Sequence, residues 1–176
     1  GTEAVTSPGP MIDVAPDDTA GLTIVLHNTL PEPVSLIVPG EASGGDPVFV
    51  TDGSGRRRAR SFTHETAPGG TGTYSWPSLS AGSHVYHSAT EPQKQVPMGL
   101  FGGITRDAAA GEAYAGVPFT AEATLFFSEI DPAFNAAVAS GEYGTAAYPS
   151  SVDYSPKYFL VNGEPFVMNG IAYSPM

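Results

Sequence analysis

Histidine is the residue type in this sequence that could do metal chemistry, and two of the four histidines stand three positions apart in one stretch. The run His84-Val85-Tyr86-His87 has the composition of a β-strand. A neutral imidazole is a common ligand for copper and zinc. Because side chains alternate along a strand, His84 and His87 are predicted to point to opposite faces. An independent metal site built from both histidines and acidic neighbours is one hypothesis for the chain, but this alternation weighs against it.

The residues that the sequence lacks exclude several other kinds of site. The chain contains no cysteine. This excludes disulfides, thiolate zinc sites, a cysteine nucleophile and the blue copper centre, which needs a Cys thiolate. The sequence also has neither a glycine-rich phosphate loop with Lys-Ser/Thr nor a Gly-x-Ser-x-Gly nucleophile elbow. Metal binding through histidine is therefore the remaining candidate chemistry.

The elements that must position these histidines are short strands and turns. Leu22–Asn28 and Thr73–Trp76 alternate between apolar and polar residues, and Ala123–Ile130 is an apolar run predicted to be a strand buried on both faces. Asp131 is suited to cap one short helix, which Gly141 would end. Together with 21 glycines and 17 prolines, this pattern predicts an all-β fold, a single antiparallel β-sandwich with one short helix.

Four further segments complete the predicted architecture. Val34–Gly40 is predicted to be a strand, Glu91–Pro97 a loop, and Met98–Thr105 a glycine-rich strand that returns beside the histidine strand. Glu41–Ala59 is predicted to be a long surface loop. The only basic cluster of the sequence lies there and just beyond it, and is interpreted as solvated: Arg56, Arg57, Arg58 and Arg60.

The order of motifs after Tyr86 resembles the first cupredoxin domain of multicopper oxidases. In that family a strand reads Tyr-His-Ser-His, followed by a loop with a Gln and a strand with Gly-Leu-x-Gly. The sequence has Tyr86-His87-Ser88-Ala89, then Gln93 or Gln95, then Gly99-Leu100-Phe101-Gly102. The resemblance implies a cupredoxin-like Greek-key β-sandwich at residues 11–171. Residues 1–10 would be an N-terminal arm, and residues 172–176 the start of a linker to a second domain.

The sequence departs from the family at most of the copper-binding positions. Matching Val34–Gly40 to the family's Ser-Ile-His-Trp-His-Gly strand places Ile37 and Pro39 where two histidines would stand, and Ala89 replaces the second histidine of Tyr-His-Ser-His. His87 is the one candidate metal ligand that the resemblance leaves. An imidazole left without copper ligands beside it could instead be a hydrogen-bonded histidine in a core or interface.

The resemblance implies a function for the intact parent, namely copper-dependent oxidation of a substrate with reduction of dioxygen to water. The isolated chain is expected to be inactive, and whether it binds copper itself stays open. The alternative is a copper-free structural or binding module. Expected partners are a second cupredoxin domain or other protomers.

Charge and hydropathy limit the remaining partners and the location. The net charge of −11, from 7 basic and 18 acidic residues, argues against nucleic acid and anionic membranes as partners. No apolar run is long enough to span a membrane and no signal peptide is recognised. A secreted or periplasmic location is therefore expected from the family resemblance alone.

Overall fold

The computed structural model describes residues 6–42, 45–165, 167–168 and 171–172, the last two pairs as backbone only. In chain order its strands are β1 (Ile12–Val14), β2 (Leu22–His27), β3 (Val48–Thr51), β4 (Arg57–Ser61), β5 (Thr71–Trp76), β6 (Gly82–His87), β7 (Phe101–Arg106), β8 (Glu112–Tyr114), β9 (Val117–Pro118), β10 (Phe127–Ile130), β11 (Tyr158–Val161), β12 (Glu164–Pro165), β13 (Val167–Met168) and β14 (Ile171–Ala172). The helices are α1 (Pro92–Gln95) and α2 (Pro132–Ser140), with a 3-10 turn at Ser151–Asp153.

Two layers of strands form the sandwich that was predicted. One layer is the antiparallel pair β2–β5, and the other has the order β1-β7-β6. β6 and β7 are antiparallel, but β1 runs parallel to β7, with Ile12 opposite Ile104. This parallel pair departs from the antiparallel prediction. It is possible because a long stretch of chain separates β1 from β7, and parallel strands need such a crossover.

The core lies between these layers and is built by the alternation of β2 and β5. Leu22 pairs with Trp76 and Ile24 with Tyr74, so the larger side chains share the inner face. Trp76 and Ile104 have no exposed surface. Their burial, with that of Val14, Val38, Tyr74 and Leu79, removes a large apolar area from water and stabilises the sandwich.

Between residues 34 and 97, three segments differ from the sequence prediction. Val34–Gly40 forms only isolated bridges, at Val34 and Ile37, because prolines at 33 and 39 lack the N–H that a regular ladder needs. The predicted loop Glu91–Pro97 contains the helical turn α1, which Pro92 begins. The predicted surface loop Glu41–Ala59 contains strand β3 and most of β4, which pair as a hairpin.

The C-terminal part holds the second helix and a three-stranded sheet of order β10-β11-β12. Helix α2 matches its prediction, since Asp131 accepts hydrogen bonds from the backbone N–H groups of Ala133 and Phe134 and Gly141 has a φ of 76°. The prediction for Ala123–Ile130 was wrong in extent and burial: β10 begins at Phe127, whose side chain is 76% exposed. An apolar run indicates a surface that packs against a partner, but no described residue covers most of the Phe127 side chain.

Three tyrosine rings surround the one fully buried side chain of α2. The Phe134 ring lies 5.4 Å from Tyr143, 6.1 Å from Tyr148 and 5.4 Å from Tyr154, each with an edge-to-face tilt. Such pairs add to the stabilisation that burial provides. The predicted arm (1–10) and linker (172–176) fall partly outside the described residues, so those domain boundaries remain predictions.

Candidate functional site

The two segments that the sequence matched to copper-ligand strands lie side by side. The backbone N–H of Ile37 donates to the carbonyl of His87, and the N–H of His87 donates to the carbonyl of Ile37, both at 3.0 Å. This antiparallel bridge places the two residues directly opposite each other, with their side chains on the same face. The two matched segments therefore lie next to each other at Ile37 and His87.

The side chains at these positions do not fit a copper cluster. Ile37 is half-buried, Pro39 is exposed and Ala89 is fully buried, and none of the three carries an atom that can coordinate a metal. Throughout the described residues, no group of three or more His, Cys, Asp or Glu side chains is placed to hold a metal ion. Copper(II) favours several nitrogen or oxygen donors, so the single imidazole at these positions would need donors from elsewhere to hold it.

His87 has a defined tautomer, and its second ring nitrogen has no hydrogen-bond partner among the described residues. Its Nδ1 lies 2.8 Å from the carbonyl oxygen of Ser88. Since a carbonyl oxygen only accepts, Nδ1–H must be the donor, and the neutral ring then carries its lone pair on Nε2. A backbone carbonyl holding one ring nitrogen is also the arrangement that orients metal-binding histidines through the other nitrogen.

The His87 ring lines an apolar groove of about 350 Å³ at the edge of the sandwich. The other lining residues come from β6, from the segment after α1, from β7 and from the C-terminal part: Val85, Val96, Pro97, Phe101, Phe126, Phe127, Ser128, Glu129 and Tyr154. The rings of Phe101 and Phe126 meet in its wall, 6.2 Å apart. With Val85 at 44% and Phe127 at 76% exposure, the groove opens onto an exposed apolar face, which is typical of an interaction surface.

Gln95 anchors the end of the histidine strand through buried hydrogen bonds. Its side chain is 2% exposed, accepts a 2.5 Å hydrogen bond from the Ser88 hydroxyl and donates to the Pro33 carbonyl at 2.9 Å. Gln93, the other candidate for the family's loop glutamine, is exposed. The structure thus selects Gln95, which the sequence alone did not distinguish from Gln93.

The neighbouring Lys94 joins the same turn to two carboxylates. Its Nζ lies 2.6 Å from Glu32 and 2.6 Å from Glu91. Burial alone would lower the pKa of Lys94, but hydrogen bonds to the two carboxylates outweigh it and raise the pKa above its usual value. Glu32 also accepts from Gln95 at 3.2 Å, so one carboxylate links both side chains of the turn.

The remaining histidines do not join His87. His84 Nε2 donates to the carbonyl of Ser80 at 3.0 Å, and its Nδ1 lies 3.7 Å from Glu41. His27 is exposed and hydrogen-bonded to Thr71, as expected for an edge residue. His64 stacks on the Tyr74 ring at 4.3 Å. A site shared by His84 and His87 is therefore not assembled within the described residues.

Comparison with known proteins supports the resemblance. The sequence profile of the multicopper oxidase family matches residues 4–109. No curated protein matches significantly. Similar solved structures include a blue copper oxidase from Nitrosomonas europaea, 20% identical with a TM-score of 0.61 over 92% of this chain and 46% of that one.

Two further solved structures show the same fold. The multicopper oxidase mgLAC is 18% identical, with a TM-score of 0.62 over 92% of this chain and 46% of that one. A copper nitrite reductase from Nitrosomonas europaea is 18% identical, with a TM-score of 0.56 over 96% of this chain and 52% of that one. At these identities the likeness establishes a cupredoxin-like fold and nothing further. The chain spans about half the length of these proteins.

Among its described helices, none has the length and apolarity to cross a membrane. With the family profile covering more than half of the sequence and the fold in agreement, the chain belongs to the multicopper oxidase family.

Proposed function

We propose that this protein is the first cupredoxin domain of a larger multicopper oxidase and does not oxidise substrates on its own. The observation that carries the proposal is the Ile37–His87 bridge. It aligns the two segments that bear ligands in the family, yet His87 is the only histidine at the four matched positions. In the intact parent, copper held elsewhere would oxidise the substrate and dioxygen would be reduced to water. The location proposed is secreted or periplasmic.

The partner proposed for the groove face is a second cupredoxin domain or another protomer. The chain spans only 46% of the blue copper oxidase that shares its fold, which leaves room for a further domain of similar size. The apolar exposure of Val85 and Phe127 would be covered by such a domain. A covered face also explains the exposure of two apolar side chains of the same segment, Leu125 at 60% and Phe127 at 76%.

His87 would be the contribution of this chain to any copper held at that face. Its Nε2 carries the lone pair, and its Nδ1–H is already held by Ser88. The other donors would have to come from the partner. The alternative is a copper-free module in which His87 is a hydrogen-bonded interface residue.

Copper retention separates these two hypotheses. Wild type, His87→Ala and the matched control His84→Ala are loaded with copper(II), dialysed, and analysed for copper by mass spectrometry. Ligation by His87 predicts that copper retained by the wild type and by His84→Ala is lost in His87→Ala. Equal copper retained by all three proteins would remove His87 as a ligand and favour the copper-free module.

Two further observations address the domain and its activity. The gene downstream of Met176 is expected to encode a second cupredoxin domain with a His-Cys-His strand; an unrelated domain there would contradict the assignment. A pure, copper-loaded sample of residues 1–176 is expected not to consume dioxygen with a phenolic substrate. Measured turnover would show that the isolated chain is catalytic after all.

A further inference from the structure

The hairpin of β3 and β4 has an outer edge on β3 that no described strand covers. β3 pairs with β4 and with no other strand in the described part of the chain. The far end of β4 is tied to the body, because Glu91 N–H donates to the Arg60 carbonyl at 2.8 Å and Ser61 bridges Thr90. The outer edge of β4 is thus covered only at its end, whereas no described bridge covers any part of the outer edge of β3.

This open edge is apolar and uncharged. β3 reads Val48-Phe49-Val50-Thr51, with Phe49 43% and Val50 38% exposed. Proteins normally protect a free edge with a charge, a proline or a bulge within the edge strand itself, because its unpaired N–H and C=O groups would otherwise pair with another strand. The register shift lies at the Val48–Phe49 step, which leaves Val50 and Thr51 in a regular ladder. The β3 edge thus remains competent to accept a strand.

The arginines of the hairpin stand on β4 and its turn, beside this edge. Four of the seven basic residues of the chain lie between positions 56 and 60, in a protein whose net charge is −11. Asp52 is the single carboxylate bonded to both Arg56 and Arg58, at 3.2 and 3.0 Å. Arg57 has no ion pair within the described residues, and its guanidinium lies 3.7 Å above the Phe49 ring. The hairpin consequently carries surplus positive charge.

These arginines are held in position before any partner arrives. The Phe49 ring fixes Arg57 by a cation–π contact, and Asp52 fixes the two flanking guanidinium groups, which are 66% and 54% exposed. Pre-ordered side chains lose less entropy on binding. Arginine and aromatic residues together are also the composition that carries most binding energy at interfaces.

We propose that the β3–β4 hairpin docks an extended acidic segment of a partner protein, which adds as a third strand to the edge of β3. The backbone of β3 supplies the hydrogen bonds of strand addition. Arg57 and its neighbours supply the charge that selects acidic over neutral or basic segments. The rest of this strongly acidic chain repels such a segment, so the arginines also set where it binds.

Binding of synthetic peptides to the purified protein tests the proposal. The probe is a peptide with alternating Glu and Val, with blocked ends, titrated by fluorescence anisotropy at low and high salt. Control peptides are alternating Lys and Val, and the Glu/Val peptide N-methylated at every residue, which keeps the charge but leaves no backbone N–H to form a strand ladder. Protein variants are Arg57→Glu and the matched charge change Lys157→Glu, just before β11.

We expect the Glu/Val peptide to bind saturably, with an affinity that falls as the salt concentration rises. We also expect binding at least about tenfold weaker for Arg57→Glu and little change for Lys157→Glu. The Lys/Val and N-methylated peptides should fail to bind. The proposal is overturned if the N-methylated peptide binds equally, if the Lys/Val peptide binds better, if none binds, or if heparin binds tighter than the Glu/Val peptide in an Arg57-dependent way.

Discussion

Gln95→Ala is the substitution expected to show most clearly how the histidine strand is held. The side chain is 2% exposed and makes three hydrogen bonds, with Ser88 at 2.5 Å, Pro33 at 2.9 Å and Glu32 at 3.2 Å. A buried hydrogen bond contributes about 1 kcal/mol net, and an abandoned partner costs about 1–3 kcal/mol. Ser88 keeps a weaker contact with the Thr90 carbonyl at 3.4 Å, so its loss is partly compensated. The expected cost is about 3 kcal/mol.

The assay is urea unfolding followed by circular dichroism, with Gln93→Ala as the matched control. Gln93 lies on the same helical turn but is exposed, so its truncation should change the free energy of unfolding by less than about 0.5 kcal/mol. For a domain of this size, about 3 kcal/mol corresponds to a melting temperature lower by about 6–12 °C. A cost below about 1 kcal/mol for Gln95→Ala, or equal costs at both positions, would refute the assignment of Gln95 as the anchor.

Two further substitutions test charged groups at the ends of the helices. Asp131→Ala removes the acceptor for Ala133, Phe134 and Ser155, which should cost about 2 kcal/mol, while Asp131→Asn, which keeps one acceptor oxygen, should cost less. Burial raises the pKa of Asp131, but hydrogen bonds from those three N–H groups outweigh burial and lower the pKa from 3.8. The stabilisation by Asp131 is therefore present above pH 3.8 and is lost as the pH falls through the pKa of the folded protein. Thermal melts in which acid causes no loss of stability would contradict this. Lys94→Met should lower the free energy of unfolding by about 1 kcal/mol. Because the pKa of Lys94 is raised from 10.5, the difference in stability between wild type and variant should be complete below pH 10.5 and should vanish in stronger alkali. A stability difference that does not change with pH in melting experiments would argue against the ion pairs.

The alternation of apolar and polar residues and the residues that cap a helix were enough to predict much of the sandwich and the helix α2. The alternation in β2 and β5 specifies a core face directly, and Asp131 with Gly141 delimits α2 by local backbone chemistry alone. The parallel pairing of β1 with β7 could not be predicted, because it depends on contacts between residues far apart in sequence. The β3–β4 hairpin was missed although Asp52-Gly53 follows an apolar run, since the turn spans more residues than a two-residue hairpin loop.

At the candidate site, the sequence matched two segments to ligand-bearing strands of the family but predicted neither their pairing nor what surrounds them. The structure places Ile37 and His87, one from each segment, opposite each other. The groove wall could be predicted only in part, because Phe101 belongs to the strand expected beside the histidine strand, whereas no motif links Phe126 to His87. The choice of Gln95 over Gln93 depends on which side of one helical turn faces the body, and two residues of spacing do not decide that.

The burial of Trp76 has a spectroscopic consequence. It is the only tryptophan of the chain, it is fully buried in the sandwich core, and its indole N–H has no hydrogen-bond partner among the described residues. Its fluorescence therefore reports on the sandwich alone. The tyrosines packed around Phe134 contribute to the near-ultraviolet circular dichroism together with core rings such as Tyr74. The tryptophan fluorescence thus follows the sandwich alone and the circular dichroism follows both parts, so whether the two signals change at the same denaturant concentration shows whether the two parts unfold as one cooperative unit.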